Sequence, residues 1–139
     1  MPWFTRTLQL PTRGKGLYEF TQEVQRVLSD SNLQEGICHL FVQHTSCSLV
    51  INENADPTAK RDLEVFFEKL APENQSWHLH TLEGSDDSPS HMRTALTNLD
   101  LNIPFSSGYL DLGTWQGIYL FEHRAFSHHR QVIVKLFGE

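Results

Sequence analysis

Residues 44–58 read HTSCSLVINENADPT. A histidine and a run of small hydroxyl and thiol residues lead into a short apolar core, Leu49-Val50-Ile51, followed by Asn52-Glu53-Asn54. Buried polar groups must be paired, so this density of donors and acceptors marks either a site or a demanding turn. The apolar core predicts that 47–52 form a second strand or a bent extension of the one before. Asp56-Pro57 then predicts a helix start, because Asp caps and Pro suits the first helical position. Beyond it Leu63, Phe66, Phe67 and Leu70 recur at i, i+3, i+4 and i+7, the spacing of one helical face. A strand running straight into a capped helix is the unit from which the fold is read.

Working outward, residues 36–43 (GICHLFVQ) predict a strand with Cys38, Leu40 and Val42 on one face. His44 has the same parity, so a regular strand would point it the same way. Residues 3–10 (WFTRTLQL) alternate as a strand does. Gly14 and Gly16 mark a turn, and Leu17, Phe20, Val24, Val27 and Leu28 are spaced for a helix. Ser88-Pro89 repeats the helix-start signal ahead of Met92, Ala95, Leu96 and Leu99. After Asn102 the chain reads as β: 101–105, 108–112, 115–124 and 130–137, punctuated by Gly108 and Gly113. The sum is an α+β fold: a mostly antiparallel β-sheet sandwich with about three helices, in a single domain spanning 1–139.

The bulk numbers agree. With 139 residues, 39% hydrophobic content and nine phenylalanines, the chain can bury a core without disulfide or metal staples. The formal charge of −6 argues against non-specific nucleic-acid binding, which uses a basic stripe. No apolar run approaches ~18 residues, so no membrane span is expected. The start, MPWFTRTLQLP, lacks the charged and apolar regions of a secretory leader. Cys38 and Cys47 form no CxxC pair and read as buried thiols, so a cytoplasmic location is expected.

Several segments carry chemistry. With Ser88 as cap, His91 falls at the third helical position, where the helix dipole disfavours the protonated ring and leaves the neutral imidazole that ligates metals. Glu83, Asp86 and Asp87 place carboxylates nearby. The plainer reading of the block is a solvated acidic loop before a capped helix. His78 and His80 alternate in WHLHTLEG and would share a face in a strand. Three imidazoles from separate segments, His44, His80 and His91, match the count of a catalytic divalent site with one open position. HRAFSHHR (123–130) is locally basic, and Arg124, His128, His129 and Arg130 could hold a phosphate or diphosphate, or simply sit in an exposed hairpin loop. Cys47 reads as packing rather than as a nucleophile. Gly113-Thr114-Trp115-Gln116-Gly117 reads as a turn or a site wall.

Taken together, HTSCSLVINENADPT, EGSDDSPSH, the Gly108–Gly117 stretch ending in GTWQG, and EHR resemble the YjbQ-like proteins, often labelled secondary thiamine-phosphate synthase enzymes, and their bacterial branch in particular. The resemblance spans nearly the whole chain. It implies an α+β fold assembled as a homotrimer, with a pocket near subunit contacts holding a metal ion or anion among histidines. Carried over by residue, it implies His44, His80 and His91 as ligands of a divalent ion, zinc or magnesium. His44, Glu53 and Arg130 are the implied catalytic groups, and Asn52, Thr114 and Gln116 the groups around a bound cofactor. His78, His128 and His129 fall outside the shared pattern. The implied reaction joins hydroxymethylpyrimidine diphosphate to thiazole phosphate and releases diphosphate, which Arg130, and secondarily Arg124, would stabilise. The expected partner is a small phosphorylated or anionic substrate, and two other readings stay open: a metal-dependent hydrolase of an unknown small substrate, and a non-catalytic trimer that binds a metal or anion.

Overall fold

The computed structural model describes residues 2–139. Its order is β1 (Trp3–Arg13), β2 (Gly16–Glu19), α1 (Thr21–Ser31), β3 (Gly36–Val42), β4 (Cys47–Glu53), α2 (Pro57–Leu70), α3 (Asp87–Leu96), β5 (Asp100–Ser106), β6 (Tyr109–Leu110), β7 (Gln116–Glu122) and β8 (Ser127–Gly138). The strands form two antiparallel sheets: five strands in the order β1-β8-β3-β5-β6, and three in the order β2-β7-β4. The α+β arrangement with three helices is the one the sequence predicts.

β8 explains why the sheets face each other. Its Arg130, Val132, Val134 and Leu136 are buried while the intervening residues are not, the period-two signature of a strand with one face inward. Val132, Val134 and Leu136 join Cys38, Leu40 and Val42 of β3, as predicted. Leu49, Ile118 and Leu120 come from the small sheet, and Val24, Val27 and Leu28 of α1 close the core. α1 starts later than its spacing suggests. Leu17 pairs with Phe121 in the small sheet, and the helix begins only after Phe20.

α2 starts where Asp56-Pro57 predicts, with Asp56 Oδ1 accepting from the Thr58 N–H at 2.9 Å. Of its predicted apolar face only Phe67 is buried, set edge-on to Phe121 with ring centroids 5.4 Å apart; Phe66 and Leu70 are exposed. α3 begins at Asp87 rather than after Ser88, so His91 lies in its second turn. Between α2 and α3, residues 71–86 form no helix or strand, so the shared strand face expected for His78 and His80 is not present. Among the described residues no helix is long and apolar enough to cross a membrane.

Candidate metal centre

α3 builds the centre. Asp87 is its first residue and His91 lies four residues on, so both project from one face. Asp87 Oδ2 lies 3.0 Å from His91 Nε2 and 2.7 Å from His80 Nε2, which the 71–86 segment brings in from outside the helix. Ligand atoms of all three lie within 4.8 Å of one another, a group able to hold a metal ion. Asp87 is buried, while the side chains of His80 and His91 keep 52% and 37% of their surface, so one side of the group is open.

The hydrogen bonding around His91 is informative. Its Nδ1 donates to the Thr45 carbonyl at 2.7 Å, because a carbonyl can only accept. A neutral ring then carries only a lone pair on Nε2, and that lone pair faces a carboxylate oxygen. The contact is favourable only with a second proton on the ring or a cation between the two groups. An imidazole that donates its far N–H to a backbone carbonyl is also the usual way a metal-ligating His is oriented. Two imidazoles and one carboxylate suit zinc or a similar transition ion better than magnesium, which prefers oxygen ligands.

Arg124 secures the carboxylate. Its Nη1 donates to Asp87 Oδ1 at 2.8 Å, its Nε to Asp86 Oδ2 at 2.9 Å and its Nη2 to the Glu83 carbonyl at 2.8 Å. Burial alone would raise the Asp86 pKa. The bonds from Arg124 and from the Ala125 N–H outweigh it and hold that carboxyl below its usual range. One guanidinium thus ties the loop, the start of α3 and the turn after β7 together.

The other residues expected at the site lie elsewhere. His44 is outside the converging group. Its Nε2 accepts the Gln131 N–H at 2.9 Å, and burial, then the nearby Arg130 charge, lowers its pKa and keeps it neutral. The 44–58 stretch reaches the centre through its backbone, at the Thr45 carbonyl. Arg130 is buried against Glu122, donating from Nε at 2.7 Å and from Nη2 at 2.5 Å, and Nη2 also reaches Ser46 Oγ at 2.9 Å. Glu122 further accepts from Thr12 Oγ1 at 2.6 Å. This pair joins β8 of the large sheet to β7 of the small one, and Arg130 lies too deep to meet a ligand from solution. Cys47 is fully buried, and burial pushes its thiol up to about 12, which removes it as a nucleophile.

Glu53, Asn52, Thr114 and Gln116 stand at the opposite end of the small sheet. Glu53 pairs with Gln116, whereas Cys47, two residues from Thr45, pairs with Glu122. The intervening length of strand is about 20 Å at the usual rise per residue. Glu53 Oε2 accepts from the Ala55 and Asp56 N–H groups at 3.1 and 2.9 Å, and Gln116 Oε1 from the Gly113 N–H at 2.8 Å. Both close turns, Thr114 is exposed, and Asn52 Nδ2 is buried with no partner among the described residues. A single wall running from His44 through Asn52 to Gln116 is therefore not formed within one chain. Asp87, which by sequence is only a neighbouring carboxylate, is the central member of the trio. The signal that finds it is its spacing of four residues before His91.

Residues 6–139 match the model of the family described as UPF0047 protein YjbQ-like. A UPF0047 protein of Synechocystis is 48% identical over 132 residues, covering 95% of this chain and 90% of its own length. The YjbQ protein of Escherichia coli O157:H7 is 41% identical, with 99% of each chain covered. A conserved hypothetical protein of Thermus thermophilus, solved by crystallography, superposes with a TM-score of 0.86 at 36% identity, covering 95% of this chain and 99% of its own. With its fold and nearly its whole length matched, this chain belongs to the YjbQ-like UPF0047 family.

Proposed function

We propose that His80, Asp87 and His91 hold a catalytic divalent ion of the zinc type, in a hydrolase acting on a small molecule. The observation that carries this reading is the orientation of His91: Nδ1–H given to the Thr45 carbonyl, Nε2 turned to a buried carboxylate. Three protein ligands with one open side are the arrangement of catalytic rather than structural zinc. When bound there, such an ion supplies Lewis acidity that acidifies water and polarises a carbonyl or phosphoryl oxygen. The chain's own part is to orient the donors. Thr45 sets the ring of His91, Arg124 fixes Asp87, and the segment before α3 delivers His80.

The diphosphate transfer implied by the thiamine-phosphate synthase resemblance is less well served. Arg130 is engaged by buried Glu122, and Arg124 by Asp86, Asp87 and a carbonyl, so neither is free to receive a departing diphosphate. The apolar side chains of Trp77, Leu79 and Leu82, which are 63%, 95% and 100% exposed, support the further proposal that a neighbouring subunit of a homotrimer covers this end of the molecule.

The test is metal content. Protein purified without chelators and titrated with zinc should bind one equivalent. His80→Ala, Asp87→Ala and His91→Ala should each weaken binding by more than about 100-fold, while His44→Ala should retain it. Zinc-loaded protein should also turn over p-nitrophenyl acetate in a manner abolished by chelation. Absence of stoichiometric zinc, or its loss in His44→Ala alone, would overturn the assignment.

A further inference from the structure

Next to His80 lies a cavity of about 460 Å³, its wall drawn from one stretch of chain, Asn74 to Ser85. That volume falls within the roughly 300–1,000 Å³ typical of small-molecule sites. Its polar side chains are Asn74, Gln75, Ser76, Thr81 and Ser85, together with His78 and His80. Among the described residues no Lys, Arg, Asp or Glu lines it. Gln75 Nε2 and Ser85 Oγ are used inside the segment, donating to the Glu73 carbonyl at 3.0 Å and to Glu73 Oε1 at 2.9 Å. Lys15 in turn pairs with Glu73 and anchors the segment to the turn before β2. The side chains of Asn74, Ser76 and Thr81 carry no such duty among the described residues.

Charge decides what this lining accepts. An anion needs a free cation or a nest of N–H groups. The cations that anchor this segment, Lys15 and Arg124, are consumed by Glu73 and by Asp86 and Asp87. What remains is a set of neutral donors and acceptors with capacity to spare, which the hydroxyl or amide groups of a ligand would engage. We propose that this cavity binds an uncharged small molecule rich in hydroxyl or amide groups and presents it to the centre at His80. The inference rests on the metal-dependent reading for the chemistry done to the ligand, though not for its recognition.

Calorimetry and ligand-detected NMR on the full chain, with and without one equivalent of zinc, test this with three probes: N-acetylglucosamine, uridine and inorganic diphosphate. At least one neutral probe should bind in the millimolar range or tighter, and the double variant Ser76→Ala/Thr81→Val should weaken it at least tenfold with zinc content unchanged. In the zinc-free protein, diphosphate should bind more weakly than that probe. Failure of both neutral probes, unaltered binding in the double variant, or tighter binding of diphosphate to the zinc-free protein would each overturn the proposal. Neutral-probe binding that is lost in the double variant, in a protein that takes up no zinc, would uphold the cavity assignment and overturn the metal reading alone.

Discussion

Glu122 is a carboxylate with no exposed surface, and Arg130 is nearly as deep. Burial acts to raise the pKa of Glu122, but the Arg130 and Thr12 bonds prevail and hold it below the usual carboxylate range. Removing one member of a buried pair leaves the other charge uncompensated. Glu122→Gln is therefore expected to lower stability by about 3–5 kcal/mol in urea unfolding, and a loss under about 1 kcal/mol would show that water reaches the pair. His123 makes a pH-dependent contribution. Burial, reinforced by the charges of Arg93, Arg130 and Lys15, pushes its imidazole down to about 3. Its Nε2 meets Ser48 Oγ at 2.9 Å, and Thr97 Oγ1 donates to that same hydroxyl at 2.6 Å. In the unfolded chain this ring takes up a proton below about pH 6.5. Between there and pH 3 the unfolded state binds more protons, so the stabilisation present at neutral pH falls as pH drops, by up to about 1.4 kcal/mol per unit from this group. Denaturation midpoints at pH 7 and pH 5 should show the decline, and His123→Gln should flatten it. A profile unchanged by that substitution would mean the ring is already hydrated in the fold.

At the scale of elements, the legible parts of the sequence are those set by local chemistry. The helix start at Asp56-Pro57 and the inward face of Cys38, Leu40 and Val42 depend on neighbours a few residues away, and both stand as read. Misread parts depend on distant partners. Leu17 fits a helical face by spacing, yet its pairing with Phe121, remote in sequence, makes it part of a strand. α3 starts at Asp87 rather than past Ser88; the carboxylates of Asp86 and Asp87 are gripped there by Arg124, a residue of the last third of the chain. His80 and His91 are recognisable in sequence as candidate ligands, whereas no local signal shows that His44 turns to the Gln131 N–H instead. Close strand packing gives a test at this scale. A Cβ added at Gly36 would collide with the Phe137 carbonyl and come within 2.8 Å of the Phe105 ring. Gly36→Ala should cost about 2–3 kcal/mol through overpacking, read as a lower urea midpoint with an unchanged slope. A shift below about 0.5 kcal/mol would show that β3 yields easily at that end.

For the molecule as a whole, the buried core lies between the two sheets, while Trp77, Leu79 and Leu82 stand on the segment outside them. If a second subunit covers those side chains as proposed, Leu82→Glu should shift sedimentation from trimer toward monomer without loss of secondary structure. A wild-type protein that sediments as a monomer at micromolar concentration would remove that part of the proposal. The cavity beside His80 has a different consequence. Its entire wall comes from one uninterrupted run of chain, and two of the three centre-forming residues, Asp87 and His91, belong to the helix that follows. On the proposed readings, recognition and metal chemistry lie on adjoining stretches that share only His80. Exchanging residues 74–79 for those of a relative would retune what is recognised while leaving the ligands, the sheets and the guanidinium clasp in place.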